Sequence, residues 1–484
     1  MSIQPVHQGT FDFFGDLPVV VEVSKAPLTS DAGLLPIREF DQKIGWTRRF
    51  AQQLRDPRLA ARIDHAFLEM TQARVYGILA DYVDQNDHDT LRSDPLFKLL
   101  AGRAPDGPDL ASQPTLSRFE NAVDIPSLKR LAQLFLDAFV ESFAEAPKHL
   151  TLDMDAVDDP AHGQQQLALF HGFFDQYQYF PNFITCAENQ QFLLLALRHG
   201  SAHAALAADS DLETVVTRLR QAWPNVQLHI RGDAGYGLPK MYEVCERLGV
   251  DYTFGIAANA VLKKRSNELL EEAVRLFDET KVPQRLFGAF WYQAGSWPAP
   301  RWVIVKAEAN AQGTNRRFVV SNRPGAQVLF EAAYDEYAMR GESENRNKEF
   351  ACGMSMDRTS DHRFLANYFR LYLHAAALNL LVRLRREIAA PPPSPLPEMP
   401  TETLDEPWRK KHANARRRTD PLGAGQPCTW RSLLIKVAAE VTVSSRRIVV
   451  RLSSAWPHLE QFRRVCVHVL RRSVTPLAQS VSSG

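Results

Sequence analysis

The chain has 484 residues, 45% of them hydrophobic and 23% charged, which is enough for a large buried core and for roughly two to four domains. Its 57 Lys and Arg face 56 Asp and Glu for a net charge of +1, which argues against a protein that holds nucleic acid through overall basicity and makes the placing of its positive clusters the informative quantity. The cysteines Cys186, Cys245, Cys352, Cys428 and Cys466 are isolated, odd in number and without a C-x-x-C pair, and neither a leader pattern nor a membrane-length apolar run is seen, so a soluble cytoplasmic protein with no zinc site, disulfide framework or membrane contact is expected.

In chain order, residues 1–35 carry few helix signals and predict an irregular arm. Periodic apolar residues at Trp46, Phe50 and Leu54, then from Ile63 to Leu68 and Val75 to Leu79, predict amphipathic helices. Asp56-Pro57 and Asp94-Pro95 read as helix starts, with Asp as cap and Pro in the first turn. After the loop Pro105–Pro108, Ser112–Asn121 predicts a short helix whose Ser, Thr, Asn and Arg side chains suit phosphates and base edges; a packing helix with a solvated polar face fits the same residues.

At Leu150 the period changes to alternation, which puts a boundary near residue 148. Leu150–Asp155 predicts a strand with Asp153 and Asp155 on one face. Leu167–Phe174, Phe180–Ile184 and Phe192–Leu197 follow as further apolar segments that read as consecutive strands of the same sheet, then a helix around Leu212–Arg220. The strand Val226–Gly232 runs into a glycine-rich turn with Asp233 at its end. A helix at Pro239–Leu248 and a short strand at Tyr252–Ile256 close this α/β stretch, 149–256. His162 and His171 lie near the first Asp, but a loop His beside the turn residue Gly163 reads as structural before it reads as a ligand. In 257–330, Phe290–Tyr292, Trp302–Ala307 and Arg317–Asn322 predict antiparallel strands with aromatic faces; Trp291, Trp297 and Trp302 read as core, with stacking on a base as the alternative.

The next segment carries the most information. Tyr337, Arg340, Glu344 and Lys348 are spaced to fall near one stripe of a single helix, with one carboxylate between two bases. That pattern suits a site for both a cation and a phosphate; a solvated helix with i, i+4 ion pairs is the alternative. Sheets of this class bind ligands at strand ends, so two strand-borne Asp and the helix-borne Glu344 make a plausible cage for paired hard cations. Mg²⁺ takes oxygen ligands and few carboxylates per ion, and paired ions stabilise the attacking and leaving oxygens of a phosphoryl displacement. Phe364–Ile388 predicts a long helix that completes 331–390. Pro391–Pro397 with Arg409–His412 and Arg416–Arg418 gives a Pro-rich, basic linker over 391–428. In the basic C-terminal region, 429–484, Leu433–Val443 and Arg446–Leu452 predict a strand pair and His458–Arg472 a basic amphipathic helix.

Asp155, Asp233 and Glu344 resemble the DDE triad of bacterial insertion-sequence transposases. Tyr337, Arg340 and Glu344 resemble the Y-(2)-R-(3)-E-(6)-K signature of one such group. Leu152–Gly163, Gln113–Asn121, Asp357–Ser360 and Ala366–His374 extend the resemblance from Pro36 to Arg472. It implies an α/β fold: an RNase H-like catalytic core with a β-rich insertion at 257–330, a helical region over 1–148 that binds DNA or dimerises, and a basic C-terminal region that clamps DNA or joins protomers. The implied activity is DNA strand cleavage and transfer by two-metal chemistry. Asp155, Asp233 and Glu344 would be catalytic and hold two Mg²⁺, with Mn²⁺ able to substitute. Tyr337, Arg340 and Lys348 would contact DNA, and Asn345 would aid Glu344. Implied partners are double-stranded DNA, as terminal inverted repeats and target, and a second copy of the chain. A metal-dependent nuclease on the same fold and a catalytically silent DNA-binding derivative are the alternatives. Asp153 competes with Asp155 for the first ligand position. Two positions depart from the pattern: Ala351 stands where the signature has Lys, with Lys348 the nearest replacement, and Val157 stands where many relatives carry Thr.

Overall fold

A computed structural model describes residues 9–11, 13, 17, 19–325, 328–389 and 415–472. Alternation along His149–Ala156 (β1) sends Leu150, Leu152 and Met154 into one buried layer and leaves Asp153 and Asp155 on the opposite face. Asn182–Cys186 (β2) and Phe192–Ala196 (β3) form an antiparallel pair on one side of β1. On its other side Gln227–Gly232 (β4) and Asp251–Ile256 (β5) run parallel to it. Gln284–Tyr292 (β6), Arg301–Asn310 (β7) and Gly313–Ser321 (β8) then continue from the open edge of β5, all antiparallel, to give one sheet of order β6-β7-β8-β5-β4-β1-β2-β3.

The strands read from the sequence after residue 257 are therefore part of the central sheet. They begin only after two helices, Ala260–Arg265 and Asn267–Thr280. Without β8, the backbone donors and acceptors of β5 would form an unpaired edge. The apolar segment near Leu167–Phe174 is no central strand either. Leu169–His171 and Gln176–Tyr179 make a hairpin that pairs with Asp159–Pro160 in a separate small sheet.

One face of the central sheet is covered by helices Ala208–Ala222 and Pro239–Leu248, which bury Val215, Leu219, Met241 and Tyr242 against Leu152, Ile230 and Phe254. The other face carries Ile304 and Val319 and receives Ala333 and Tyr334 from helix Phe330–Ala338. Asp153 and Asp155 lie on this second face.

The helices before β1, among them Leu34–Ile44, Phe67–Leu79, Gln113–Asn121 and Ile125–Glu141, share one core with the long helix Phe364–Ile388. Trp46 Nε1 donates to the Ala376 carbonyl at 2.9 Å. Fully buried Glu120 accepts from Arg74 at 2.8 Å and from Arg370 at 2.5 Å, which ties Gln113–Asn121 to both neighbours. Asn121 also donates to Asp361 at 2.8 Å, whereas Arg118 is exposed and, among the described residues, bonds only Thr115 within the helix, at 3.1 Å.

The described residues of the N-terminal arm include strands that the sequence does not suggest. Gly9–Phe11 pairs with Val19–Val21, and Leu28–Thr29 adds to a sheet whose other strands, Ala439–Val443 and Ile448–Leu452, come from the far end of the chain. Strands of two or three residues are too short to display a period. Asp31 then pairs with Lys436 at 2.8 Å. Segment Leu433–Val443 is strand only from Ala439, since Arg431–Ile435 closes a π-helical turn. Helix Leu459–Arg471 buries Val465 and Val469, and its terminal carbonyls at Val469, Leu470 and Arg472 accept from Lys43 at 2.9, 3.1 and 2.9 Å. The stretch Pro391–Pro397 and the cluster Arg409–His412 lie outside the described residues. Among the described residues no helix is long and apolar enough to cross a membrane.

Candidate active site

Because β1 and β4 are parallel, their C-terminal ends emerge side by side. Gly232 is opposite Met154, so the next residue, Asp233, is level with Asp155. The two carboxylates feel each other: burial pushes the Asp155 carboxyl up to about 6, Arg340 opposes that rise, and Asp233 adds to it. Asp233 Oδ1 accepts the Gly235 amide at 2.8 Å, which holds the turn that follows β4.

Asp153, two residues back on the same face, is in a different state. Arg231 donates to both its oxygens at 2.7 and 2.9 Å, Arg346 stands 3.9 Å away, and the Asp153 side chain has no exposed surface. Its charge is already neutralised inside the protein.

The stripe from Tyr337 to Lys348 is divided between two helices. Helix Phe330–Ala338 stops, Met339 and Arg340 turn, and Gly341–Lys348 starts a second helix that passes into a π-helical turn at Glu349–Gly353. Two local causes fit the break. Arg231 Nη1 donates at 2.6 Å to the Glu336 carbonyl, one of the groups a helix C-terminus leaves unpaired, and Gly341 has low helix propensity.

Each candidate then finds its own place. Tyr337 packs its hydroxyl over Gly255, where an added Cβ would meet that oxygen at 2.8 Å. Arg340 Nη1 is 3.6 Å from Asp155 Oδ2. Asn347, which the sequence did not single out, donates to that same oxygen at 2.7 Å, while its own Oδ1 is buried without a partner. Its signal was its spacing: seven residues after Arg340 and three after Glu344 is two turns and one turn along the same face. Asn345 instead bonds Glu342 at 3.4 Å on the exposed side.

Glu344 stands apart from the two Asp. Its side chain is 68% exposed and pairs with Lys348 at 2.8 Å. It nevertheless sits one turn after Arg340 and one turn before Asn347, the two residues that reach Asp155, so its backbone is at the rim of the same cluster. Among the described residues no group of three or more His, Cys, Asp or Glu is close enough to hold a metal ion. Two carboxylates converge and the third faces solvent.

The remaining sequence candidates lie in packing or hydrogen-bonding contacts, with Trp291 left exposed. His162 Nε2 bonds the Asp357 carbonyl at 2.7 Å, and His171 packs on Phe174 and Phe180. Trp297 is buried against Tyr242 and Tyr292, and Trp302 packs edge-on to Trp291, which is 55% exposed. Ala351 and Val157, the two departures from the signature, both pack partly buried against the core that surrounds Phe350. A long cation at 351 would start from that packed turn.

A family model described as "Transposase DDE domain group 1" matches residues 12–404. Among solved structures, one entitled "Cryo-EM structure of piggyBac transposase synaptic complex with hairpin DNA (SNHP)" is similar, with a TM-score of 0.38 and 11% identity over 82% of this chain and 84% of that chain. A comparison with curated proteins gives no match. The family model spans well over half of the sequence and includes both converging Asp and the Tyr337–Lys348 segment, so the chain belongs to the transposase DDE domain group 1 family.

Proposed function

We propose that this DNA transposase cuts and joins the ends of an insertion sequence by two-metal phosphoryl transfer at Asp155, Asp233 and Glu344. The observation that carries the proposal is the pairing of Asp155 and Asp233 at the ends of two parallel strands, with the Asp155 carboxyl pushed up to about 6 by burial and its neighbour. The strand order β3-β2-β1-β4-β5, antiparallel and then parallel, supports an RNase H-like core. In this reading 149–256 and 331–390 form that core and 257–330 is its insertion.

The donors fit a hard divalent cation such as Mg²⁺ or Mn²⁺. Two adjacent carboxylates lack a full cationic partner, and the buried Asn347 Oδ1 beside them has no donor. Asp153 does not fit, because Arg231 already compensates it. When bound, paired divalent ions supply charge stabilisation for the attacking and leaving oxygens of an in-line displacement.

The chain's own residues do the positioning. Asn347 fixes the Asp155 rotamer through Oδ2. Glu344 completes the triad by turning from Lys348 toward the two Asp; an ion pair with both partners more than 60% exposed opposes this by no more than ~1 kcal/mol. Arg340 and Lys348 contact phosphates, and Tyr337, seated on Gly255, supports the turn that presents Arg340. The DNA partners are terminal inverted repeats and a target, bound by a pair of chains with help from the N-terminal helices.

The test is incubation of the purified chain with Mg²⁺ or Mn²⁺ and a duplex that carries the element's ends, beside Asp233→Ala and Glu344→Ala. Cleaved and joined products that disappear in both variants are expected. Cleavage without joining would make the chain a nuclease, and binding without any product would make it a silent DNA-binding protein.

A further inference from the structure

Alternation along the sheet fixes which residues share the face of Asp155. On β4 that face holds His229 and Arg231, on β7 it holds Ile304 and Lys306, and on β8 it holds Val319 and, two residues before it, Arg317. Phe318 is opposite Ile256, the last residue of β5. Arg317 therefore lies just beyond the C-terminal end of β5, the same end of the sheet at which Asp155 and Asp233 emerge. Its charge reaches the phenols of Tyr334 and Tyr337.

The other cations of this region are compensated. Arg231 pairs with Asp153 at 2.7 Å, Arg323 with Glu336 at 2.7 Å, Lys306 with Glu308 at 2.6 Å, and Arg285 with Asp335. Arg317 is exposed, and among the described residues no carboxylate pairs with it. On the opposite side of the site the chain has no Lys or Arg from His149 to Leu197, the stretch that builds β1, β2, β3 and the small hairpin. Arg346 and Arg385 reach the β2–β3 turn at Ala187 and Gln190 but are buried, so a polyanion next to Asp155 meets an exposed guanidinium without a carboxylate partner toward β8 and no exposed cation from the β1–β3 stretch itself.

We propose that Arg317 binds a backbone phosphate of the DNA and holds the strand on the β8 side of the Asp155–Asp233 pair. A guanidinium presents a planar fork of donors that matches a phosphate, and an exposed one gives up little hydration to reach it. The inference rests on the DNA-transposase reading above, and it adds a contact outside the Tyr337–Lys348 segment. Arg317 is a binding residue here, and no step of the chemistry is assigned to it.

The experiment is fluorescence anisotropy of a labelled duplex of arbitrary sequence with the full chain in Ca²⁺, as a function of KCl, for the wild type, Arg317→Ala and Arg317→Lys. One lost phosphate contact is expected to reduce the slope of log affinity against log salt by about 0.9 and to weaken binding severalfold, and Lys is expected to restore the slope. A merely structural role would leave the slope unchanged. Equal slopes and affinities for the wild type and Arg317→Ala would overturn the assignment while leaving the DNA reading intact. A wild type without salt-dependent binding would sink the DNA reading and the assignment with it.

Discussion

Asp153→Asn and Asp155→Asn remove one negative charge each, two residues apart on one face of β1, and should act in opposite directions on stability. Asp153 is enclosed by Arg231 at 2.7 and 2.9 Å, and Arg231 itself is only 4% exposed. Removing one partner of such a buried pair costs about 3–5 kcal/mol, and since Asn keeps one carbonyl acceptor the lower end of that range is expected. Asp155 is penalised for being charged: its carboxyl is raised from 3.8 to about 6, roughly two units at about 1.4 kcal/mol each. Its side chain keeps 16% exposure, so solvent screening reduces that to about 1–2 kcal/mol. The sign follows from proton counting. Between about pH 4 and pH 6 the folded chain holds a proton on Asp155 that the unfolded chain has lost, so stability falls as pH rises through that window and the penalty is complete above it. Asp155→Asn carries no such penalty and should gain stability near pH 8 and nothing near pH 4. Melts in EDTA at both pH values, with hydrogen exchange at the β1 and β4 amides because a chain of this size need not unfold in one step, would read both effects. If Asp153→Asn melts like the wild type while Asp155→Asn melts lower at pH 8, the division of roles between the two residues is wrong.

Other outcomes follow from the same contacts. Glu120→Ala leaves the buried Arg74 and Arg370 uncompensated and should cost about 3–5 kcal/mol, measured as a lowered urea midpoint; an unchanged midpoint would mean the N-terminal helices are not locked to Phe364–Ile388. His374 is buried and its pKa is lowered to about 3, first by burial and then by Arg74, so folding stability should fall as pH drops below 6.5 by about 1.4 kcal/mol per unit, and His374→Gln should flatten that part of the melting profile. Gly255→Ala would place a methyl 2.8 Å from the Tyr337 hydroxyl and 3.0 Å from the Ala234 amide, so end cleavage should drop sharply and stability should fall by about 1–3 kcal/mol; full activity would show that this close approach is dispensable. Lys348→Met removes the competitor for Glu344 and should tighten Mn²⁺ binding by no more than about fivefold, the equivalent of a surface ion pair; a much larger gain would mean that Lys348 gates the site.

The readable parts of this chain were those with a long, clean period. The alternation at Leu150–Asp155, the end of β4 at Asp233 and the helix Phe364–Ile388 occur where the pattern puts them. What escaped was set by tertiary partners. No local signal says that β8 will pair with β5, that Leu28–Thr29 will join Ala439–Val443, or that Arg231 will bond the Glu336 carbonyl in the last turn of a helix. Asp153 and Asp155 look alike in sequence, and only the facing residue on β4 distinguishes them. Helical spacing put Glu344 one turn from Arg340 but could not show the break between the two helices or give the Glu344 rotamer, which here answers to Lys348, and it passed over Asn347, an uncharged residue in a run of charged ones.

The most direct test of the central claim is a crystal of the full chain soaked in Mn²⁺, with the ions located by their anomalous scattering. Two peaks bounded by Asp155, Asp233 and a Glu344 side chain turned away from Lys348 are the predicted result. A site without ions, or ions held elsewhere while Glu344 stays on Lys348, would contradict the assignment of these three residues as the metal-binding triad.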